Sequence, residues 1–204
     1  MKMLYAMLCA SALLLSGCMS TGQTRTVQHY ALGAPVATPA GAHPAASGER
    51  DVLKVARVTV PPWLAGTDMY YRLDYRDGGQ LSAYGQSDWA APPATLLEPW
   101  VQAALSASGQ WRAVVGPRNP ATADVSLHLR LEDFSQIFAS PEQSTGVIDA
   151  TATLLDNADA SVVAQKHFHV TVPSPSADAR GGATALREAS HALARQISRW
   201  LGTR

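Results

Sequence analysis

The feature that most constrains this chain is a strict alternation. Val125, Leu127, Leu129 and Leu131 take turns with Ser126, His128, Arg130 and Glu132, so an extended backbone sends one set to a core and the other to water. A second alternating run, Ile148, Ala150, Ala152 and Leu154, is followed by Asp156-Asn157-Ala158-Asp159, a turn composition. A third, Val162, Ala164, Phe168, Val170 and Val172, then returns. Three half-buried strands in succession predict an antiparallel meander with one apolar face. That face needs a cover. The C-terminal segment from 182 to 201 supplies one, with Leu186, Ala189, Leu193, Ile197 and Trp200 at helical spacing over about five turns.

Upstream, Val52 to Val60 is nearly continuous in β-branched residues and stops at Pro61-Pro62, as a buried strand would. Met69 to Leu73 and Gln80 to Tyr84 read as a hairpin around Asp77-Gly78-Gly79, with glycine expected at positive φ. A helix is predicted over 95–107 behind Trp89 and Pro92-Pro93. Thr95-Leu96-Leu97-Glu98 has the form of a capping box, Pro99 would kink any earlier start, and Gly109 ends the helix. Trp111 to Val115 is a short strand. Tyr30 lies in a short early strand, and the Ala/Pro/Gly-rich stretch 33–50 is expected to be a disordered loop. Strands and helices in this order predict one α+β domain over 28–204, a mixed, mainly antiparallel sheet with two main helices packed on it.

The N-terminus carries a different message. Lys2 precedes an apolar run from Met3 to Leu15, too short to span a bilayer, and Leu15-Ser16-Gly17-Cys18 resembles a bacterial lipobox. Residues 1–17 are therefore expected to be a signal peptide. Cys18 would carry a diacylglyceryl group and an N-acyl chain, palmitate among the candidates, and 18–27 would form a lipidated tether. Two cysteines occur and Cys9 lies inside the signal, so Cys18 would otherwise be an unpaired thiol in an oxidising compartment. Met19, where an aspartate commonly marks inner-membrane retention, favours the periplasmic face of the outer membrane.

Lys plus Arg and Asp plus Glu each number 16, and no basic run occurs, which speaks against a nucleic-acid partner. No nucleophile motif, zinc-protease motif or phosphate-binding loop is present, so neither catalysis nor nucleotide hydrolysis has a candidate residue. The expectation is a non-enzyme without cofactor. His167 and His169 share one side of a strand but lack a third ligand nearby, and Asp156 and Asp159 are explained by the turn, so no metal site is expected. Trp63, Tyr70 and Tyr71 gather near the Pro-Pro turn. They either contact a partner or fill the end of the core.

The order of features resembles the ABC-type transport auxiliary lipoproteins, the PqiC-like group. The residues that carry the resemblance are the lipobox cysteine, Tyr30-Ala31-Leu32, the strand running into Val60-Pro61-Pro62-Trp63-Leu64, then Tyr70-Tyr71-Arg72 and Trp89-Ala90-Ala91-Pro92-Pro93. The long loop 33–50 and Pro99 depart from the pattern. The resemblance implies a periplasm-facing lipoprotein that works with an inner-membrane ABC permease and ATPase and an MCE-domain protein, contributes to envelope integrity, and could form a homo-oligomer. The alternative is an outer-membrane lipoprotein that activates cell-wall synthesis or assists envelope complex assembly. Genes for a permease, an ATPase and an MCE protein beside this one would separate the two.

Overall fold

In the computed structural model, residues 26–35 and 51–203 are described. The expected signal peptide, Cys18, most of the tether and residues 36–50 of the expected loop lie outside the described residues. One eight-stranded mixed sheet organises the rest. Its strands are β1 (Gln28–Tyr30), β2 (Val52–Val55), β3 (Asp68–Leu73), β4 (Gly78–Trp89), β5 (Ala113–Val115), β6 (Val125–Ser140), β7 (Gln143–Asp156) and β8 (Val162–Pro173). The helices are a single turn α1 (Asp74–Asp77), α2 (Pro93–Ala107) and α3 (Ala179–Leu201).

Strand β6 is the spine. Along one edge it pairs antiparallel with β7, which pairs antiparallel with β8, giving the expected meander. Its other edge is shared. The first half takes β2 in parallel, with β5 beyond it, and the second half takes β3 in parallel, with β4 and then β1 beyond. The sheet therefore forks along β6, and the chain between β2 and β3 bridges the fork. Val52 to Val60 was expected as one strand. The ladder instead breaks after Val55, re-pairs once where Thr59 meets Arg130, and leaves through a 3₁₀ turn at Pro62–Leu64.

A bulge at Glu132 sets what each half of β6 exposes. Leu131 pairs with Ala150 and Asp133 with Asp149, so one extra residue sits on β6 and the inward parity switches from odd to even. Leu127, Leu129 and Leu131 face the core before it, and Phe134 faces the core after it. The apolar residues of β7 and β8, Ile148, Ala150, Ala152, Leu154, Phe168 and Val170, join them under α3. Trp89 anchors the other branch, 1% exposed and edge-on to Phe134 with ring centroids 5.2 Å apart.

α3 is longer than the sequence predicts, 23 residues, because it starts at Ala179. Asp178 caps it by accepting the Gly181 N–H at 2.7 Å, which satisfies an amide the first turn leaves free. It also lies close on the sheet. A Cβ on Gly146 would stand 2.9 Å from the Ala185 Cβ, and one on Gly182 only 2.1 Å from the Gln136 Oε1. Three further expectations need correction. Thr95 and Glu98 form no capping box: α2 begins at Pro93 without a side-chain cap, and the Glu98 carboxylate accepts the Val58 N–H at 3.0 Å. Pro99 therefore sits inside the helix, and Gly109, at φ 65°, ends it as expected. The β3–β4 hairpin forms, but the reversal runs through α1 with Gly78 at φ −64°, not through a positive-φ glycine. Val162 is also 62% exposed; the register shift beside Leu154 lifts this end of β8 off the core.

Candidate functional site

The three aromatic residues singled out in the sequence do not form one group. Tyr70 and Tyr71 are successive residues of a strand, and the pleat sends them to opposite faces. Trp63, in the 3₁₀ turn that bridges the fork, packs edge-on against Tyr70 at 5.3 Å between centroids. Both rings are half-buried, as a surface aromatic pair is when one side packs and the other stays available. The Tyr70 hydroxyl donates to the Asp68 carboxylate at 3.0 Å. Partial burial raises its pKa, and the Asp68 hydrogen bond and charge add to the effect.

Tyr71 lies on the helix-covered side, 4.7 Å from Tyr84 and 6.0 Å from Phe138 between centroids. Below this cluster runs a buried polar chain. Tyr84 donates to the Gln136 Oε1 at 2.7 Å, and the Gln136 amide donates to the Ser144 hydroxyl at 2.7 Å. Burial pushes the Tyr84 hydroxyl pKa well up, with Tyr71 and Asp178 contributing, so it stays a neutral donor. Close approach of Gly182 to Gln136 ties the chain to the start of α3. Tyr84, Phe138 and Gln136 were not singled out in the sequence, because only strand register reveals that Tyr71 aligns with Gln136.

Where the fork closes, Arg72 of β3 forms an ion pair with Asp133 of β6, whose side chain is 11% exposed. The second Asp133 oxygen and the Ser135 hydroxyl are buried without a partner among the described residues. They lie two residues apart on the same face as Tyr70. This side of the fork is thus aromatic and partly polar.

The uncovered face of the meander has a different chemistry. His169 Nδ1 lies 2.7 Å from Asp149 Oδ1, His167 Nε2 lies 3.4 Å from the same oxygen, and Glu132 takes both Arg130 and the Thr151 hydroxyl. The two histidines do share a side, as the sequence indicated. They are engaged by carboxylates, and among the described residues no group of three or more His, Cys, Asp and Glu side chains could hold a metal ion. No helix of the described residues is long and apolar enough to cross a membrane. Cys18 lies outside the described residues.

Comparison with known proteins adds a family and a fold. Residues 30–198 match the model of a family described as "ABC-type transport auxiliary lipoprotein component". A crystal structure of a Xanthomonas campestris protein of the DUF330 family model is 27% identical, covers 74% of this chain and 82% of its own, and superposes with a TM-score of 0.65. A second crystal structure, of an uncharacterized protein, is 19% identical over 86% of this chain and 99% of its own, with a TM-score of 0.67; it speaks to the fold alone. No curated protein matches the chain.

Proposed function

Because the chain belongs to the ABC-type transport auxiliary lipoprotein family, we propose that it is the lipid-anchored accessory subunit of an MCE-type ABC system moving lipid between the inner and outer membranes. The observation that carries the reading is the family match, which spans nearly the whole folded region from Tyr30 to Ser198. Acylated Cys18 anchors the protein to the periplasmic face of the outer membrane. The first strand begins at Gln28, within ~33 Å of Cys18 at about 3.3 Å per residue, so the domain stays close to the bilayer.

In this reading the ATPase and permease supply energy, and this chain supplies a docking surface. Trp63 and Tyr70, paired at the bridge of the fork, are the side chains best suited to a partner contact, since half-buried aromatics offer apolar area at low ordering cost. Tyr71 contributes from the opposite face by holding β3 against β4 and β6.

The test is mass spectrometry of proteins co-purifying with the tagged chain from detergent-solubilised envelopes. Recovery of an MCE-domain protein with a permease and ATPase is expected, with capture by a Trp63→Ala variant reduced about tenfold or more while its circular dichroism is unchanged. Recovery instead of cell-wall synthases or a barrel-assembly complex overturns the transport reading. A Cys18→Ser variant should leave the membrane fraction.

A further inference from the structure

The uncovered face of the meander contains a bowl of about 290 Å³ that the transport reading does not use. Its walls come from four successive strands or strand extensions. Arg57 and Thr59 stand on the segment that re-pairs with β6, and His128 and Arg130 on β6 itself. Thr153 stands on β7 and Gln165 on β8. His128, Thr153 and Gln165 are direct cross-strand neighbours, which places their side chains in one row.

The balance of donors and acceptors in this row is uneven. No carboxylate lines the bowl. Glu132, at the bulge beside it, pairs with Arg130 and accepts from Thr151, and so fixes one side of that guanidinium. Arg57 makes no ion pair or hydrogen bond with any described residue, so none of them occupies its fork of N–H donors. The Thr153 hydroxyl already accepts from the Gln165 amide at 2.9 Å, which leaves its proton to donate. Two guanidiniums on neighbouring strands, with a hydroxyl donor on β7 at the far edge of β6, present N–H and O–H groups to a single small space. Such a set matches a tetrahedral oxyanion, which takes several charge-assisted bonds at once. The volume lies at the small end for ligand sites and suits a phosphate group with little attached.

We propose that this bowl binds the phosphate group of an anionic ligand, with Arg57 and Arg130 as the principal contacts and Thr153 as a third donor. A lipid headgroup and free phosphate share this chemistry. The site is independent of the partner contact at Trp63, so its failure would leave the co-purification result untouched.

The experiment is a titration of the intact chain in neutral detergent at constant ionic strength, with inorganic phosphate in one arm and short-chain phosphatidylglycerol in the other. Binding is followed through the guanidinium Nε–H NMR signals of Arg57 and Arg130. Saturable shifts of both signals are expected, with the midpoint raised about tenfold in Arg57→Ala, partly restored in Arg57→Lys, and unchanged in Arg187→Ala, which sits on α3 across the sheet. Saturation by phosphatidylglycerol far below the phosphate midpoint identifies a headgroup site, and equal midpoints identify a free-phosphate site. Absence of saturation in both arms overturns the proposal, as does equal weakening by Arg187→Ala, which would mean diffuse charge attraction only.

Discussion

The two faces of the β6–β8 meander share a backbone and differ in almost everything else. One face packs Leu127, Leu129, Ile148, Ala152, Leu154 and Phe168 under α3, none more than 4% exposed. The other, one residue out of phase, is polar: Asp149 pairs with His169, Gln165 donates to Thr153, Arg130 pairs with Glu132, and His128 is hydrogen-bonded to Ser126. The difference teaches where stability and recognition reside. Apolar burial on the first face holds the sheet to the helix, while exposed pairs on the second are screened by water and contribute little each, which frees them for recognition. The contrast ends at Glu132. Beyond that bulge Asp133, Phe134, Ser135 and Gln136 are all buried, so over these four residues β6 has no open face.

Adjacent residues of β7 give the sharpest way to break this comparison. Leu154→Ala should cost ~3 kcal/mol, because a side chain only 4% exposed leaves a cavity that its neighbours fill in part. Thr153→Ala should change stability by no more than ~0.5 kcal/mol, as a surface substitution does. Urea denaturation of both variants measures the difference. Similar losses would mean that the polar face is as much a part of the fold as the apolar one.

A smaller loss is expected at the border of the two regimes. Arg72→Ala leaves the Asp133 carboxylate in a site where its side chain is 11% exposed and its partner is gone. Since the pair keeps some water access, the cost should be ~2 kcal/mol, below that of removing one partner of a fully buried pair. The double variant Arg72→Ala, Asp133→Asn should recover part of it. A double variant no more stable than Arg72→Ala would place the cost in lost packing of the arginine stem.

The sequence made the meander, its inward residues and the C-terminal helix legible, because period-2 and period-3.6 patterns are local and α3 covers what they leave apolar. The fork was not legible. Nothing in Leu131-Glu132-Asp133-Phe134 marks Glu132 as the extra residue, and carrying the odd alternation forward would turn Phe134 outward. Tyr70 and Tyr71 looked like a pair because they are adjacent, yet adjacency in a strand is what separates them. Glu98 shows the same limit in a helix: the local capping pattern yields to an unpaired amide at Val58, forty residues earlier in the chain. Cys18 stands apart from all of these, since its signal is chemical grammar read from the sequence and owes nothing to the fold.

A histidine on the covered side supplies the smallest effect. His191 of α3 lies against Trp100 of α2 with ring centroids 3.7 Å apart. Burial holds its pKa below the ordinary imidazole value, with Arg195 and Arg187 adding to the shift and Glu188 opposing it. The folded chain thus keeps this ring neutral in a range where the unfolded chain already binds a proton. Its contribution to stability is therefore complete above the ordinary value of about 6.5 and declines as pH falls below it toward the folded value. Urea midpoints at pH 7.5 and 5.5 should drop more for the parent than for His191→Gln, which has no proton to take up. Thr153→Ala, on the open face, should keep the parent's drop. If His191→Gln also keeps it, the acid sensitivity comes from elsewhere, and the helix layer gains nothing from holding that ring uncharged against Trp100.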